Sequence, residues 1–310
     1  MTQQPDLSIL LLAYNQENVV GEAIESAFAQ TADNLEIIIS DDKSPDKTFE
    51  VMQNAVSSYT GPHQVRCIQS AENMGLKAHL NHLVSIAASD RIMCIAGDDI
   101  SFPHRAERLI QVFDAENPLL IHSDADPIDE SGRPAEDAQF SGASLRRKST
   151  PLEIAASQAL YLGASVAFHK DLFRKYGPLP DSPAYEDLIL GFRATLEDRV
   201  SYVQDPLLQY RVGVGISKAP SRPVSMDQTK AMRVKKLERD TAVLEQRILD
   251  SNLYGADRVA DVLVKLDRAL SDKKARLDFH QLGLFRGPHA FSQKLKAAAN
   301  ETIRLIQRKV

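Results

Sequence analysis

Three short apolar runs without polar alternation and one more polar strand-like segment organise the first third of the chain, and each ends in polar residues. Leu7–Ala13 (LSILLLA) stops at Tyr14-Asn15-Gln16-Glu17, and 35–40 (LEIIIS) stops at Asp41-Asp42-Lys43-Ser44. Gln64–Gln69 leads into the turn Asn73-Met74-Gly75, and 92–95 (IMCI) climbs to Gly97-Asp98-Asp99. The three unbroken runs predict strands buried on both faces, the pattern of central parallel strands, and Gln64–Gln69 reads as a further strand. Stretches with helical spacing separate them. Val20, Ala23, Ile24, Ala27 and Phe28 share one face. A second helix opens at Pro45-Asp46-Lys47-Thr48 and runs to Tyr59, where Gly61-Pro62 breaks it. Leu80, Leu83, Val84 and Ala87 mark the inward face of 76–88. Strands alternating with helices of this length predict an α/β protein, with a right-handed, mainly parallel sheet flanked by helices.

The second half is less regular. Helices are expected at 103–113, 152–161 and Asp171–Tyr176, the last stopped by Gly177-Pro178. Another opens at Tyr185-Glu186-Asp187 and offers Leu188, Leu190, Phe192 and Leu196 for packing. Strands are expected at 119–123, 163–168, 200–203 and 207–210, and the polar stretch 124–149 reads as a loop over the site. From residue 224 charges dominate. Val234, Leu237, Leu244 and Ile248 recur at helical spacing, as do Val259, Leu263, Leu266 and Leu270 after Gly255. The chain therefore divides into 1–223 and a C-terminal helical region, 224–310, that packs on the domain or on a second copy.

The last stretch, 290–310, is amphipathic. Phe291, Leu295, Ala298, Leu305 and Ile306 fall on one side. Its 5 basic residues (Lys294, Lys296, Arg304, Arg308, Lys309) face 1 acidic residue, Glu301. That balance suits a helix resting on an anionic membrane surface, and equally one packed on protein.

A net charge of −5 gives no sign of a nucleic-acid partner. Cys67 and Cys94 lie in apolar strand segments and read as buried thiols in a reducing compartment. The start, MTQQPDLS, lacks a basic n-region, and no apolar run has bilayer length. The expected location is cytoplasmic, with peripheral contact at the inner face of the membrane through the last helix.

Candidate chemistry gathers after the strands. The polar loops YNQE, SDDKS and GDD all follow strand carboxyl ends, where open α/β sheets bind ligands. Asp98 and Asp99 are adjacent like charges that call for a positive neighbour. A hard divalent cation that shares phosphate oxygens with a substrate meets that need. The same pair also reads as a solvated turn or a cap for the helix near Pro103.

The ordered set A-Y-N-Q-E, S-D-D-K-S-P-D-K-T, E-N-M-G-L-K-A-H-L-N, A-G-D-D, Y-E-D-L and Y-R-V-G-V-G-I-S resembles the inverting GT-A-fold glycosyltransferases of family 2. The resemblance runs from about residue 7 to residue 217. It implies a nucleotide-sugar donor, most often a UDP-sugar, and a glycan or lipid-linked acceptor in polysaccharide assembly. It places the Tyr14 ring against the nucleotide base, although a strand-end tyrosine packed in the core reads equally well from the residue alone. Asp41 matches the carboxylate that bonds the base, while helix capping is the competing use of Asp41 and Asp42. Lys77 is a candidate for a phosphate, against the commoner solvent-facing lysine. Asp99 matches the ligand for Mn²⁺ or Mg²⁺, and Asp98 the residue that reaches the ribose or the metal.

Asp187 matches the base that takes the acceptor hydroxyl proton, with Glu186 supporting it. An acidic first helical turn explains the same two residues by the helix dipole. Arg211 is the candidate phosphate clamp. The chain departs from the family pattern twice. Ala96 stands where many relatives carry a further aspartate, and Gly213 where many carry a histidine. Two other classes compete. A nucleotidyltransferase of similar fold calls for a glycine-rich phosphate loop, which LLLAYNQENVVG lacks. A non-catalytic nucleotide-sugar-binding protein has no need of both acidic pairs, and both are present.

Overall fold

A computed structural model describes residues 4–135, 144–214, 225–282 and Gln293. The first half alternates as its apolar runs require: β1 (Leu7–Ala13), α1 (Val20–Phe28), β2 (Leu35–Asp41), α2 (Thr48–Ser58), β3 (Gln64–Gln69), α3 (Leu76–Ile86) and β4 (Arg91–Ala96). Then follow β5 (Ile100–Ser101), α4 (Arg105–Glu116), β6 (Leu120–Ile128), α5 (Pro151–Ile154), β7 (Ala167–His169), α6 (Asp171–Tyr176), α7 (Glu186–Leu196) and β8 (Val200–Arg211). Two long helices close the described chain, α8 (Met226–Gly255) and α9 (Ala260–Leu282).

The eight strands among the described residues form one sheet in the order β3-β2-β1-β4-β7-β6-β8-β5. β3, β2, β1 and β4 run parallel. β7 is antiparallel to both β4 and β6, and β8 is parallel to β6. The sheet is thus mixed, with a four-stranded parallel block from the start of the chain and a further parallel pair, β6 and β8, from its later part.

Alternate residues of each central strand enter opposite cores. Leu10, Ile38, Ile92 and Cys94 pack on one face with α3, α7, α8 and α9; Ile9, Leu11, Ile37, Ile39, Met93 and Ile95 pack on the other with α1, α2 and α4. Burial on both sides explains the unbroken apolar runs. The C-terminal helices share the first core, because Val243, Leu244, Val259, Val262 and Leu266 cluster with Leu188, Leu190 and Phe192.

Several expectations change. The helix expected at 152–161 ends at Ile154, and the carbonyls of Ile154, Ala155 and Ser157 turn to the Arg247 guanidinium instead of continuing the helix. The strand expected at 163–168 begins as a 3₁₀ turn, Gly163–Ser165, closed by Ser165 Oγ donating to Leu162 O at 2.8 Å. The segments 200–203 and 207–210 form one strand, because a register shift opposite Asp124 absorbs Pro206. Cys94 is buried but Cys67, on the outer strand β3, is half-buried, and both thiols are free. No helix among the described residues is long and apolar enough to cross a membrane. The amphipathic stretch 290–310 lies outside the described residues apart from Gln293.

Candidate active site

Strand register builds the site. Ala13 lies beside Asp41 and Leu12 beside Ala96, so the loops after β1, β2 and β4 leave the sheet along one edge. The first two loops are stitched together. Asn15 N–H donates to Ser44 Oγ at 2.8 Å, Gln16 N–H to Thr48 Oγ1 at 2.8 Å, and Glu17 N–H to the Asp46 carboxylate at 3.1 Å. Lys47 N–H returns a bond to Glu17 at 2.9 Å. Tyr14 stands out from this framework, 47% exposed.

Asp41 and Asp42 serve the backbone. Asp41 has no exposed surface, and it accepts from Ser44 N–H at 3.0 Å, Gln69 Nε2 at 2.8 Å and the Ser44 hydroxyl. Asp42 accepts from Met74 N–H at 3.0 Å and Gly75 N–H at 2.8 Å, which hangs the turn before α3 from β2. Gly75 sits at φ 76, a conformation that favours glycine. Both oxygens of Asp41 thus hold the loop.

The turn after β4 approaches the β1 loop so closely that only glycine fits at position 97. A Cβ there meets Gln16 Oε1 at 2.5 Å and Ala13 Cβ at 2.6 Å. Gln16 also bonds Asp98. Asp98 and Asp99 are both buried. Burial pushes the Asp98 carboxyl above its ordinary range, against the Gln16 bond and the charge of Arg211. Burial, and then the Asp98 charge, push Asp99 up to about 8. Asp99 Oδ1 accepts Arg211 N–H at 2.9 Å, whereas its buried Oδ2 has no hydrogen-bond partner.

Two expected phosphate ligands are committed elsewhere. The buried Arg211 guanidinium donates to Asp98 O at 2.9 Å, Asp129 O at 3.2 Å, Glu130 O at 3.0 Å and Glu22 Oε2 at 2.6 Å. It is a tie between β8, the acidic turn and α1, not a free clamp. Lys77 Nζ donates to Ala184 O at 2.9 Å and to Ser182 O, which fastens α3 to the loop before α7. Burial lowers the pKa of this lysine, against the charges of Glu186 and Asp181.

Glu186 and Asp187 are the first residues of α7. Asp187 Oδ1 accepts the N–H of Leu188 at 2.7 Å. Burial pushes the Glu186 carboxyl upward. Burial, with Glu186 beside it, pushes Asp187 up to about 7, against the charge of Arg247. The turn Gly163–Ser165 lies against this pair, since a Cβ on Gly163 meets Glu186 Oε1 at 3.5 Å and Asp187 Cβ at 3.6 Å. The same turn is bonded to the other pair's surroundings. Buried Arg105 donates to Ala164 O at 3.1 Å, Cys94 O at 3.0 Å and Ser101 Oγ at 3.0 Å, and its charge acts on Asp99. The two acidic pairs therefore flank one turn.

Four residues of the site carried no role in the sequence reading: Gln16, Arg105, Tyr161 and Arg247. Tyr161 is buried with its hydroxyl unpartnered, and burial followed by the charges of Asp187 and Glu186 raises its pKa well above the ordinary value. The signal for Arg247 was its spacing. Leu237, Asp240, Leu244, Arg247 and Ser251 recur at three and four residues, and all five are buried. Arg105 likewise shares a helical face with Leu109 and Val112.

The donor set fits a divalent cation. A buried, partnerless carboxylate oxygen on Asp99, with its charge opposed by Asp98, lacks the positive charge that such an ion brings. Among the described residues no group of three or more His, Cys, Asp or Glu is placed to hold a metal. An ion held by Asp98 and Asp99 would take further ligands from substrate phosphate and water, the manner of binding that Mg²⁺ favours.

Residues 8–177 match the sequence model of glycosyl transferase family 2. The chain belongs to that family, and its fold is the GT-A fold. The putative glycosyltransferase EpsE of Bacillus subtilis (strain 168) is 36% identical over 110 residues, 36% of this chain and 39% of that protein. The chain spans between 39% and 65% of the length of EpsE and three further curated relatives. S. aureus TarS 1-349 in complex with UDP-GlcNAc superposes with a TM-score of 0.62 at 14% identity, covering 96% of this chain and 91% of that one. The mannosyltransferase PcManGT from Pyrobaculum calidifontis, in complex with GDP-Man and Mn²⁺, gives 0.55 at 15% identity over 97% and 81%. At these identities the likeness is one of fold.

Proposed function

We propose that this protein is a metal-assisted, inverting glycosyltransferase that moves a sugar from a nucleotide-sugar donor to an acceptor hydroxyl. The observation that carries the reading is the pair of acidic couples, Asp98-Asp99 and Glu186-Asp187, set about the single turn Gly163–Ser165. Family membership and the UDP-GlcNAc and GDP-Man bound by the two structural neighbours support a nucleotide-sugar donor.

Each residue has a part. Tyr14 offers an exposed ring for the base to stack on, a contact worth about 1–3 kcal/mol in nucleic-acid complexes. Asp41 fixes the floor of that subsite through Ser44 and Gln69. Asp99, with Asp98, would hold Mn²⁺ or Mg²⁺, and the Mn²⁺ of the mannosyltransferase neighbour supports that use. The ion supplies Lewis-acid stabilisation of the departing diphosphate. Arg211 keeps Asp99 in place by its N–H and spans the acidic turn with its side chain. Lys77 and Arg211 act here as ties that shape the donor site rather than as phosphate ligands.

At the acceptor, Asp187 takes the hydroxyl proton while the oxygen bonds the anomeric carbon and the bond from that carbon to the diphosphate breaks. One displacement from the face opposite the leaving group inverts the centre. A carboxyl near 7 suits the task, because an effective base has a pKa close to the working pH. Glu186 orients the acceptor and raises the proton affinity of its neighbour. The acceptor proposed is a glycan or lipid-linked hydroxyl in polysaccharide assembly, with the protein on the cytoplasmic side of the membrane.

A panel of UDP-, GDP- and dTDP-sugars, each with Mn²⁺, tests the reading by thermal melting. A true donor raises Tm, because ligand that binds only the native state stabilises it. The same donor should then release nucleoside diphosphate slowly to water. Pyrophosphate release from a nucleoside triphosphate and a sugar phosphate would instead mark a nucleotidyltransferase, and a melting shift without turnover a binding protein.

A further inference from the structure

Arg247 stands in the middle of α8 with no exposed surface. A buried guanidinium needs both its N–H groups and its charge met. Backbone carbonyls meet the first need at the two terminal nitrogens, while Nε has no hydrogen-bond partner. Nη1 donates to Ile154 O at 3.2 Å, Ala155 O at 2.9 Å and Ser157 O at 2.8 Å, and Nη2 donates to Leu188 O at 3.3 Å. The Phe192 ring lies 5.2 Å below the guanidinium carbon.

Carbonyls leave the charge itself uncompensated, and two carboxylates act on it, Asp187 and then Asp250. Asp250 is already bound to buried Arg193 of α7 at 3.1 Å and accepts from Gln246 at 2.9 Å. Asp187 is therefore the natural counter-charge of Arg247. The groups facing Asp187 are Glu186 on its own helix, the Tyr161 phenol from the segment after α5, and Arg247 from α8. Of these, Arg247 alone is a cation.

The link is mechanical as well as electrostatic. Arg247 holds the carbonyl of Leu188, whose N–H holds Asp187 Oδ1. Its other nitrogen fixes the segment that leads to Tyr161, which faces the same carboxylate.

We propose that Arg247 is a positioning residue for the transfer, fixing from α8 the residue, Leu188, whose N–H orients Asp187, and balancing the charge of the Asp187 carboxylate. The proposal rests on the reading of Asp187 as the base, and it makes the C-terminal helices part of the catalytic apparatus.

The test uses full-length protein labelled with ¹³C at aspartate carboxyls, with the Asp187 signal assigned by its loss in Asp187→Asn. Wild type should titrate with a midpoint near 7. Arg247→Met, which keeps bulk and removes charge, should raise that midpoint by about one pH unit. Arg247→Lys, which keeps the charge, should stay near wild type. An unchanged midpoint in a folded Arg247→Met protein overturns the proposal.

If Arg247→Met does not fold, wild type still decides. The guanidinium ¹⁵N–¹H signal of Arg247, assigned from its loss in Arg247→Lys, should show a pH step at the Asp187 midpoint. That step should vanish in Asp187→Asn. A signal indifferent to pH, or a step that survives Asp187→Asn, overturns the proposal. Turnover of Asp187→Asn reports on the base assignment alone, so failure of that reading is separable from failure of the coupling.

Discussion

Asp98-Asp99 and Glu186-Asp187 look alike in sequence, and burial pushes all four carboxyls upward. Their surroundings are opposite. Asp99 meets a backbone N–H on one oxygen and nothing on the other, while the side chain of nearby Arg211 is spent on carbonyls and Glu22. Asp187 has a buried arginine behind it, gripping the next peptide. On the proposed reading, the first pair draws on a bound cation beyond the charges of Arg105 and Arg211, whereas the second, as a base with no metal at hand, draws on Arg247. Two similar acidic motifs would thus acquire different chemistry from their counter-charges.

The sharpest way to break this contrast is Asp187→Asn. The amide keeps size and most hydrogen bonding but cannot take a proton. Turnover should fall on the order of 10²–10⁴-fold while donor affinity by calorimetry stays near wild type. Glu186→Gln should cost less. In wild type, turnover should decline as pH drops below about 7, because only the ionised Asp187 accepts the proton. If Glu186→Gln is the silent enzyme and Asp187→Asn the active one, the base lies on the wrong neighbour.

Asp99→Asn comes next. It removes the charge that waits for a cation, so Mn²⁺-dependent donor binding should disappear and turnover should fall about 10²-fold or more. The contrast predicts that Asp187→Asn leaves metal dependence intact. Full activity of wild type in EDTA would end the assignment of a metal to this pair.

The smallest effect is on stability. Asp187 rises from 3.8 to about 7 on folding. The native state then holds this proton more tightly than the unfolded chain, so its contribution is fully present below about 4 and is lost as pH rises through 7. Asp187→Asn never carries the charge. It should melt above wild type at pH 8, with the difference closing by pH 4, as read by circular dichroism at both values. A gap that does not change with pH would show that Asp187 is not strained by its charge.

The sequence by itself determined the parallel part of the sheet. LSILLLA reappears as β1 without a shift of boundary, because a strand buried on both faces leaves no room for charged residues and ends where the polar loop begins, and the outer strand QVRCIQ reappears as β3 at the same bounds. The ordered loops after those strands, and the helix start at Glu186, were legible for the same reason. Tertiary structure decided what those residues touch. The fork of Arg211 was taken by carbonyls, Lys77 by Ala184, and the 152–161 helix was cut at Ile154 because Arg247, more than ninety positions away, claimed its carbonyls. Local patterns report how a residue is buried, since burial repeats along the strand or helix that carries it. The hydrogen-bond partner and the counter-charge come from segments distant in sequence, and only the folded chain brings them within reach.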